Sequence, residues 1–411
     1  MSIEVALEGH LEDEQDFEGY LRMVSQLAEQ WQLKMEMMES YAIIDVCPEG
    51  MIQLSYEDGY LTIAAQTNVA GPGFHAYVCD FFHAIVERSP LPLTVEDPTN
   101  YYTHHQFDRL VKEVFHRWLR EIGNYIRETK NQEDRDQICL SWPVDYYVPQ
   151  PKKGCVITPM GYIRIDDFLD QDLDTLAEQF FVWNHLGRDS AYYRNAALNL
   201  LWKECYFEYS NMNEMTEKQA DTILDYLEIA HRLDPHLALP MKEYVQLCEI
   251  RQREKRIHDA AELHFAQPIG YRRELVHVRF GHWSVPVSGY AQESVEENTQ
   301  TLYLIAPYRC MEEPWQWLVQ INVYAFQHEV KGFLKEWEEA EQPIDISHDQ
   351  IVGRAFLQRE ADHIRLYAQC NCGKEMLKLQ WIICEEAMVD TIMEQVKQIR
   401  AYPIKNDEFQ A

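Results

Sequence analysis

The chain has 411 residues, which at roughly 150 residues per domain corresponds to two or three domains. It carries 37 Lys and Arg against 68 Asp and Glu residues, and the resulting formal net charge of −31 repels phosphate backbones, so general binding of DNA or RNA is disfavoured. Hydrophobic residues make up 46% of the chain and aromatic residues 12%, which is enough for packed cores. This composition excludes an acidic protein that is disordered over its whole length.

The first 135 residues are predicted to form an α+β domain. Apolar residues at helical spacing predict helices over 14–33, 74–88 and 104–130. Two alternating apolar runs within 52–66, separated by a polar turn that ends in Gly59, predict a β-hairpin between the first two helices. Strands interleaved with helices in one segment are the pattern of a sheet backed by helices.

The middle of the chain changes from extended to helical character. Residues 136–165 are rich in Pro, Val, Ile and Tyr, and they either link two domains or complete the first one. Residues 166–267 follow a helical period almost throughout. The helices predicted there cover 169–185, 190–209, 216–232 and 239–264. The mixed-charge run RQREKR at 251–256 is expected to form a solvated helix face.

One stretch of this helical segment carries small residues at regular spacing. In ADTILDYLEIAHRLDPHLALP the small residues are Ala220 and Ala230; they stand among Leu224, Leu227 and Leu233, and the stretch ends at Asp234-Pro235. The stretch resembles tetratricopeptide-type units, in which the second helix carries small residues at fixed spacing and ends at a proline. The resemblance implies paired helices that approach closely at the alanines. An ordinary helical hairpin bundle between two sheet domains describes the same residues equally well.

Residues 268–400 are predicted to form a second α+β domain with an antiparallel sheet, followed by a tail at 401–411. The order of GHWSVPVSGY (Gly281–Tyr290), successive strands and a closing strand–helix unit at Met376–Ile399 resembles small sheet domains of the PsbP type. That resemblance implies a binding or adaptor module of a bacterial protein more often than an enzyme. The predicted fold is therefore α+β, with two mixed sheet-and-helix domains flanking a tetratricopeptide-like middle.

The sequence also favours a cytoplasmic location. The start, MSIEVALEGHLEDE, has neither the basic segment nor the apolar segment of a secretory signal. The longest apolar run, at 62–79, is interrupted by polar residues and glycines, so no membrane span is expected. Ten cysteines without an export signal are typical of reduced thiols in a cytoplasm.

The glycine-rich run TNVAGPGFHAY is the sharpest local candidate for a ligand site. A strand that enters a glycine turn and then a helix N-terminus presents free N–H groups and a positive dipole end to anions. Gly71, Gly73 and His75 are therefore candidate ligand-binding residues for an anionic group. The alternative is a tight turn that needs glycine for steric reasons only.

No complete catalytic motif is present, so the sequence favours a protein without enzymatic activity and leaves the question open. Cys370 and Cys372 place two thiols at a turn, but a structural zinc ion needs four ligands and no second pair of this kind exists in the chain. These two cysteines are kept as weak zinc candidates, and no metal and no cofactor is predicted.

Acidic and aromatic residues are the candidate partner-binding groups. Glu12, Asp13 and Glu14 belong to an acidic segment without Lys or Arg, and Trp315 with Trp317 could form an aromatic recognition surface. The expected function is non-catalytic binding of a protein partner, favoured to be basic, through the helical middle and the acidic surface, by an adaptor or a toxin-neutralising immunity-type protein. The alternative is an enzyme or small-ligand sensor that binds an anionic group at the Gly71–His75 turn.

Overall fold

A computed structural model describes residues 2–11, 14–38, 41–129, 138–142, 147–205, 214–265, 267–296, 298–306, 315–335 and 342–402. The α+β class expected from the sequence is confirmed, because helices and several sheets are both present. The chain divides into two compact units. The first comprises Met1–Trp142, Pro151–Cys205 and Gln219–Ile269, and the second comprises Pro143–Gln150, Tyr206–Lys218 and Gly270–Ala411. Most of the predicted helical middle thus belongs to the same unit as the N-terminal sheet.

The first unit is built on a six-stranded antiparallel sheet with the order β2-β3-β4-β5-β1-β6. Its strands are β1 (Glu4–His10), β2 (Lys34–Met37), β3 (Tyr41–Cys47), β4 (Gly50–Glu57), β5 (Tyr60–Gln66) and β6 (Thr94–Glu96). Apolar residues alternate along β3, β4 and β5, so one face of the sheet is apolar and the other is polar. The predicted hairpin is β4–β5, closed by Asp58 and Gly59 in left-handed conformations.

Two long helices, α1 (Glu14–Gln30) and α2 (Pro72–Arg88), contribute buried apolar residues to the core under the apolar face. Helix α2 is buried along most of its length, including Phe74, Phe81 and Phe82 with no exposed surface. The side chain of Trp31 packs edge-on against the ring of Phe81, which joins the two helices. Burial of large aromatic side chains at this layer fixes how the sheet and its helices pack.

Further helices and short strands follow in chain order. The helices are α3 (Tyr101–His104), α4 (Phe107–Arg109), α5 (His116–Thr129), α6 (Ile165–Asp170), α7 (Leu173–Phe180), α8 (Ser190–Lys203), α9 (Glu214–Leu233) and α10 (Met241–Ile250), with a π-helical segment Leu110–Phe115 before α5. The strands are β7 (Ile138–Cys139), β8 (Val148–Pro149), β9 (Cys155–Thr158) and β10 (Gly161–Arg164). Strands β10, β9 and β7 form a small sheet in the first unit.

The predicted helix at 169–185 is wrong at both ends. Helix α7 begins where the carboxylate of Asp172 accepts the backbone N–H of Thr175, a side-chain cap. After Phe180 the chain becomes extended, and the N–H of Trp183 donates to the carbonyl of Ala70 at 2.8 Å. Backbone pairing with a distant segment therefore replaces the helical hydrogen bonds that the local sequence favours.

The predicted helix at 239–264 also stops early, at Ile250. Residues beyond it leave the helix because their side chains pair with carboxylates of α9. Arg251 donates to Asp221 at 3.1 and 3.0 Å, and Arg253 donates to Asp225 at 2.7 Å. The run 251–256 is thus an ion-paired loop on α9, and the expectation of a solvated helix face is wrong.

The second unit contains two antiparallel sheets, with the orders β20-β12-β11-β8 and β13-β14-β15-β19-β18-β17-β16. Its remaining strands are β11 (Leu275–Phe280), β12 (Trp283–Ser288), β13 (Gln292–Glu296), β14 (Thr301–Ala306), β15 (Trp317–Ala325), β16 (Ile344–Asp345), β17 (Val352–Arg359), β18 (Ile364–Cys372), β19 (Glu375–Ile383) and β20 (Arg400–Ala401). One helix, α11 (Val389–Val396), contacts β12. The sequence of Val330–Ala340 also predicts a helix; residues 330–334 are not helical in the structure, and 336–340 lie outside the described residues.

Within the residues that the structure describes, no helix combines the length and the apolar character that crossing a lipid bilayer requires.

Candidate functional site

The predicted glycine turn is packed against the chain's own backbone. The N–H of Gly73 donates to the carbonyl of Trp183 at 2.9 Å. A Cβ atom at Gly73 would lie 2.2 Å from the indole of Trp183, and one at Gly71 would lie 2.5 Å from its carbonyl oxygen. Gly71 also has a φ of 111°, a region that favours glycine. These contacts give both glycines a steric role, while anion binding at the turn stays a prediction.

His75 is fully buried, in a network of hydrogen bonds between separate segments. Its Nδ1 lies 2.9 Å from the hydroxyl of Thr67, and its Nε2 lies 3.1 Å from the hydroxyl of Thr99. The Thr67 hydroxyl donates to the carbonyl of Ile3 at 3.1 Å, and the Thr99 hydroxyl donates to Asp97 at 2.7 Å. The two threonine hydroxyls therefore link the imidazole of His75 to the backbone of Ile3 and to the carboxylate of Asp97.

Asp97 completes this network on the side of β6. Besides the Thr99 hydroxyl, its carboxylate accepts the N–H of Thr99 at 2.9 Å and the N–H of Tyr102 at 2.7 Å. Its Oδ1 lies 3.6 Å from Nε2 of His75. Burial would raise the pKa of Asp97, but hydrogen bonds from His75, Thr99 and Tyr102 outweigh it and hold that pKa well below its usual range. The carboxylate is therefore a fixed negative charge beside the imidazole.

His75, Cys79 and Asp97 also offer metal-ligand atoms within 4.8 Å of one another, and no other such trio occurs among the described residues. His75 and Cys79 are one helical turn apart on α2. The trio offers three ligands where a structural zinc ion takes four, and its nitrogen and carboxylate are already hydrogen-bonded. The hydrogen bonds of His75 and Asp97 tie α2 to the loop after β6.

Cys370 and Cys372 lie at the end of β18, and both are free thiols. Burial raises the pKa of Cys370 to about 12, and burial together with Glu375 raises the pKa of Cys372. Neither belongs to a trio of metal-ligand groups within the described part of the chain. Their geometry adds nothing to the zinc hypothesis, which stays a prediction.

The predicted partner-binding residues are placed unevenly. Glu12 and Asp13 lie outside the described residues, and Glu14 begins α1. Trp315 is half-buried just before β15, whereas Trp317 is fully buried within that strand. Trp317 therefore packs inside the sheet of the second unit and presents no surface to a partner.

The polar face of the six-stranded sheet is a surface that the sequence analysis did not single out. The register places Gln53 of β4 beside Ile43 on one side and Ala64 on the other. The same row continues to Ala6 of β1 and ends at Glu96. A cleft of about 480 Å³ lies over β1, β4 and β5, lined by small and polar side chains such as those of Ser55, Thr62, Ala64 and Gln66. We call this surface the open sheet face.

Acidic residues border the open sheet face. Its exposed carboxylates are those of Glu4, Glu8, Glu36, Asp45, Glu57 and Glu96. In the described strands the register also brings Lys34 and the imidazole of His10 onto this face, and Lys34 is paired with Glu36. Partial burial and the nearby Glu36 raise the pKa of Asp45, which means that its negative charge is disfavoured there. The face therefore has an excess of negative charge that a cation would relieve.

One end of the cleft is anchored by a buried ion pair. Lys203 of α8 pairs with Glu49, and their side chains are only 3% and 14% exposed. The carboxylate of Glu49 also accepts the side-chain N–H of Asn199 at 2.9 Å. The ammonium group of Lys203 lies 5.1 Å from the centre of the Trp142 ring. This pair fixes the β3–β4 turn to α8 and defines the rim of the cleft.

The alternation of polar and apolar residues along β3, β4 and β5 is the sequence signal that could have identified the open sheet face. The pairing order could not be read in the same way. Glu36 and Glu96 come from opposite edges of the sheet, and their shared row depends on β1 entering between β5 and β6.

Comparisons with known proteins add little. No protein-family model matches the chain, and no curated protein matches it. A solved structure that matches part of it is a crystal structure from Bacteroides thetaiotaomicron, with 11% sequence identity and a TM-score of 0.23. The match covers 30% of this chain and 46% of that one, so the chain spans less than half the length of that protein. A likeness at this level carries no argument about fold or function, and the functional proposals depend on geometry and charge.

Proposed function

We propose that this chain binds a basic protein partner through the open sheet face. The observation that carries the proposal is the charge of that surface: six exposed carboxylates border it, and its single lysine in the described strands is already paired with one of them. Clustered charge of one sign steers and selects partners of the opposite sign. Catalytic activity is not part of this proposal.

The shape of the face supports contact with an extended or convex segment. Small side chains at its centre, including Ala6, Ser55 and Ala64, leave room between the acidic borders. Polar groups of Gln53 and Gln66 are exposed and available for hydrogen bonds. A basic segment that lies across these strands would place its cations near Glu4, Asp45 or Glu96.

The helical part of the first unit is a poorer candidate for the same partner. Asp221, Asp225 and Glu228 of α9 are acidic, but they already pair with Arg251, Arg253 and Arg256. Their charge is neutralised within the chain. Among the exposed carboxylates of the open sheet face, only Glu36 has an ion-pair partner within the described residues, and this difference favours the sheet over α9.

The test is capture of a partner from a native lysate with two triple variants. The face variant carries Glu4→Gln, Asp45→Asn and Glu96→Gln. The control carries Glu18→Gln, Glu29→Gln and Glu87→Gln, which removes the same charge from exposed positions on α1 and α2. The captured protein is identified by mass spectrometry, purified and titrated against all three forms.

We expect a stoichiometric basic protein that binds the wild type and the control, binds the face variant at least tenfold more weakly, and dissociates as salt is raised. Equal binding by both variants, or recovery of no protein at low salt, would contradict the proposal. If the captured protein is toxic and the complex blocks its activity, the chain is a neutraliser of the immunity type. If it is not toxic, the chain is an adaptor.

A further inference from the structure

A second cleft of the first unit lies away from the open sheet face and has a different character. It measures about 400 Å³ and is enclosed by β9 and β10, by α6, α7 and α8, and by residues 263–265. The apolar part of its lining includes Met160, Tyr162, Ile163, Leu198, Leu263 and Phe265. Clefts of several hundred Å³ with an apolar lining and a few polar groups are typical binding sites for small molecules.

The guanidinium group of Arg194 is held in one orientation at this cleft. Its Nε and Nη2 donate to the side-chain oxygen of Asn195 at 3.0 and 2.9 Å. Asn195 is itself fixed, because its amide donates to the carbonyl of Phe181 at 3.1 Å. Nη2 also donates to Glu178 at 3.4 Å. The side chain of Arg194 is 15% exposed, so its rotation is restricted by packing as well as by these bonds.

One end of this guanidinium has no partner in the described part of the chain. The two hydrogens on Nη1 find no acceptor there, although Arg194 lines the cleft. A fixed guanidinium with free N–H groups at a sheltered site is suited to binding a carboxylate, because its side chain loses little further conformational entropy when the ligand binds.

The other charges of the cleft restrict the ligand to a single negative charge. Arg164 and Arg194 are balanced by Asp167 and Glu178. Glu178 is already engaged by Arg194 and by His185, whose Nε2 lies 3.3 Å from it. These two carboxylates would repel a doubly charged phosphate more strongly than a single carboxylate, which the free N–H groups of Arg194 can hold.

We propose that this cleft binds a small monocarboxylic acid with an apolar body, whose carboxylate accepts from Nη1 of Arg194 and whose body lies on the apolar part of the lining. The same chemistry is offered by the free carboxyl end of a peptide with an apolar last residue. This proposal is independent of the open sheet face, since the two clefts share no lining residue.

The experiment uses ligand-observed NMR with isocaproate and phenylacetate at millimolar concentration on the full chain. Their amides, isocaproamide and phenylacetamide, keep the apolar body and lose the charge. We expect at least one acid to bind and its amide to bind about tenfold more weakly, the loss expected for a hydrogen bond to a charged group. Equal binding of acid and amide, or no binding of either acid, would overturn the proposal.

Two variants and two further probes complete the test. Arg194→Met is expected to weaken acid binding about tenfold, while Arg22→Met removes an equivalent charge from an exposed site on α1 and is expected to leave binding unchanged. If Arg194→Met does not fold, the comparison of acid and amide binding to the wild type decides whether the cleft recognises a carboxylate. An acetylated tripeptide ending in Leu is compared with the two acids. If the tripeptide binds more tightly than the acids, the natural ligand is a peptide C-terminus; if it binds more weakly, the natural ligand is a free acid. Inorganic phosphate that displaces the acid would contradict the monocarboxylate class.

Discussion

The backbone N–H of Gly73 donates to the carbonyl of Trp183 at 2.9 Å, while the N–H of Trp183 donates to the carbonyl of Ala70 at 2.8 Å. This reciprocal pairing joins the start of α2 to the chain after α7, across more than 100 residues of sequence. It explains why the glycine turn is buried and why a larger side chain at Gly73 would not fit.

Gly73→Ala is expected to destabilise the protein by about 3 kcal/mol, because the added Cβ overlaps atoms that cannot move away cheaply. That Cβ would lie 2.2 Å from the indole of Trp183 and 2.3 Å from the carbonyl of His185. Urea unfolding measures the change. Gly19→Ala is the control: Gly19 is exposed on α1 with nothing within 4 Å of its Cβ, and this change should stabilise by about 0.5–1 kcal/mol. A tolerated Gly73→Ala would contradict the steric role.

Thr67→Val is expected to cost about 2 kcal/mol, because it leaves Nδ1 of buried His75 without its partner. The valine has nearly the shape of threonine, so loss of the hydroxyl is the main change. Thr62→Val, at a half-exposed position on the polar face of β5, the strand that ends just before Thr67, should change the free energy of unfolding by less than about 0.5 kcal/mol. Equal effects of the two changes would show that the hydrogen-bond network contributes little.

The free energy that Asp97 contributes should depend on pH. Its pKa in the folded protein is held far below the value of about 3.9 in an unfolded chain, so the unfolded state takes up a proton first as pH falls. The stabilisation is therefore complete above about pH 4 and is lost progressively below it. Unfolding of the wild type and of Asp97→Asn, measured across this range, should show a difference that is constant near neutrality and shrinks in acid. A difference that grows in acid would contradict the assignment.

Lys203→Met is expected to cost about 3–5 kcal/mol, because it leaves the carboxylate of Glu49 buried without its cation. Glu49→Gln keeps the side-chain size at a residue with a φ of 65° and should also destabilise, since Lys203 then loses its anion. The double variant should be more stable than the sum of the two losses predicts. Denaturant unfolding of all four forms gives the coupling energy directly, and a value near zero would show that the pair is not coupled.

Sequence periodicity was sufficient to predict helices and strands that pack on an element close to them in the chain. The apolar stripe of α1 and the alternation in β4 and β5 predict those elements, and the α+β class follows from them. Periodicity did not predict the end of a helix where a segment distant in the chain supplies the backbone hydrogen bonds. Phe181–Trp183 looks helical by composition, but its backbone pairs with the Ala70–Gly73 turn, so the helix ends at Phe180.

The candidate sites also divide into features that follow from local sequence and features that depend on distant segments. The sequence alone determined the acidic character of the chain, the classes of its main elements and the glycine turn, because charge, periodicity and backbone freedom are properties of local residues. Only the tertiary structure decided that His75 is enclosed by Thr67 and Thr99, and that Glu36 and Glu96 share one face of a sheet. Strand order places the two carboxylates on one face, and the packing of α2 against the segments after β5 and β6 encloses His75; such contacts depend on segments that are far apart in the chain.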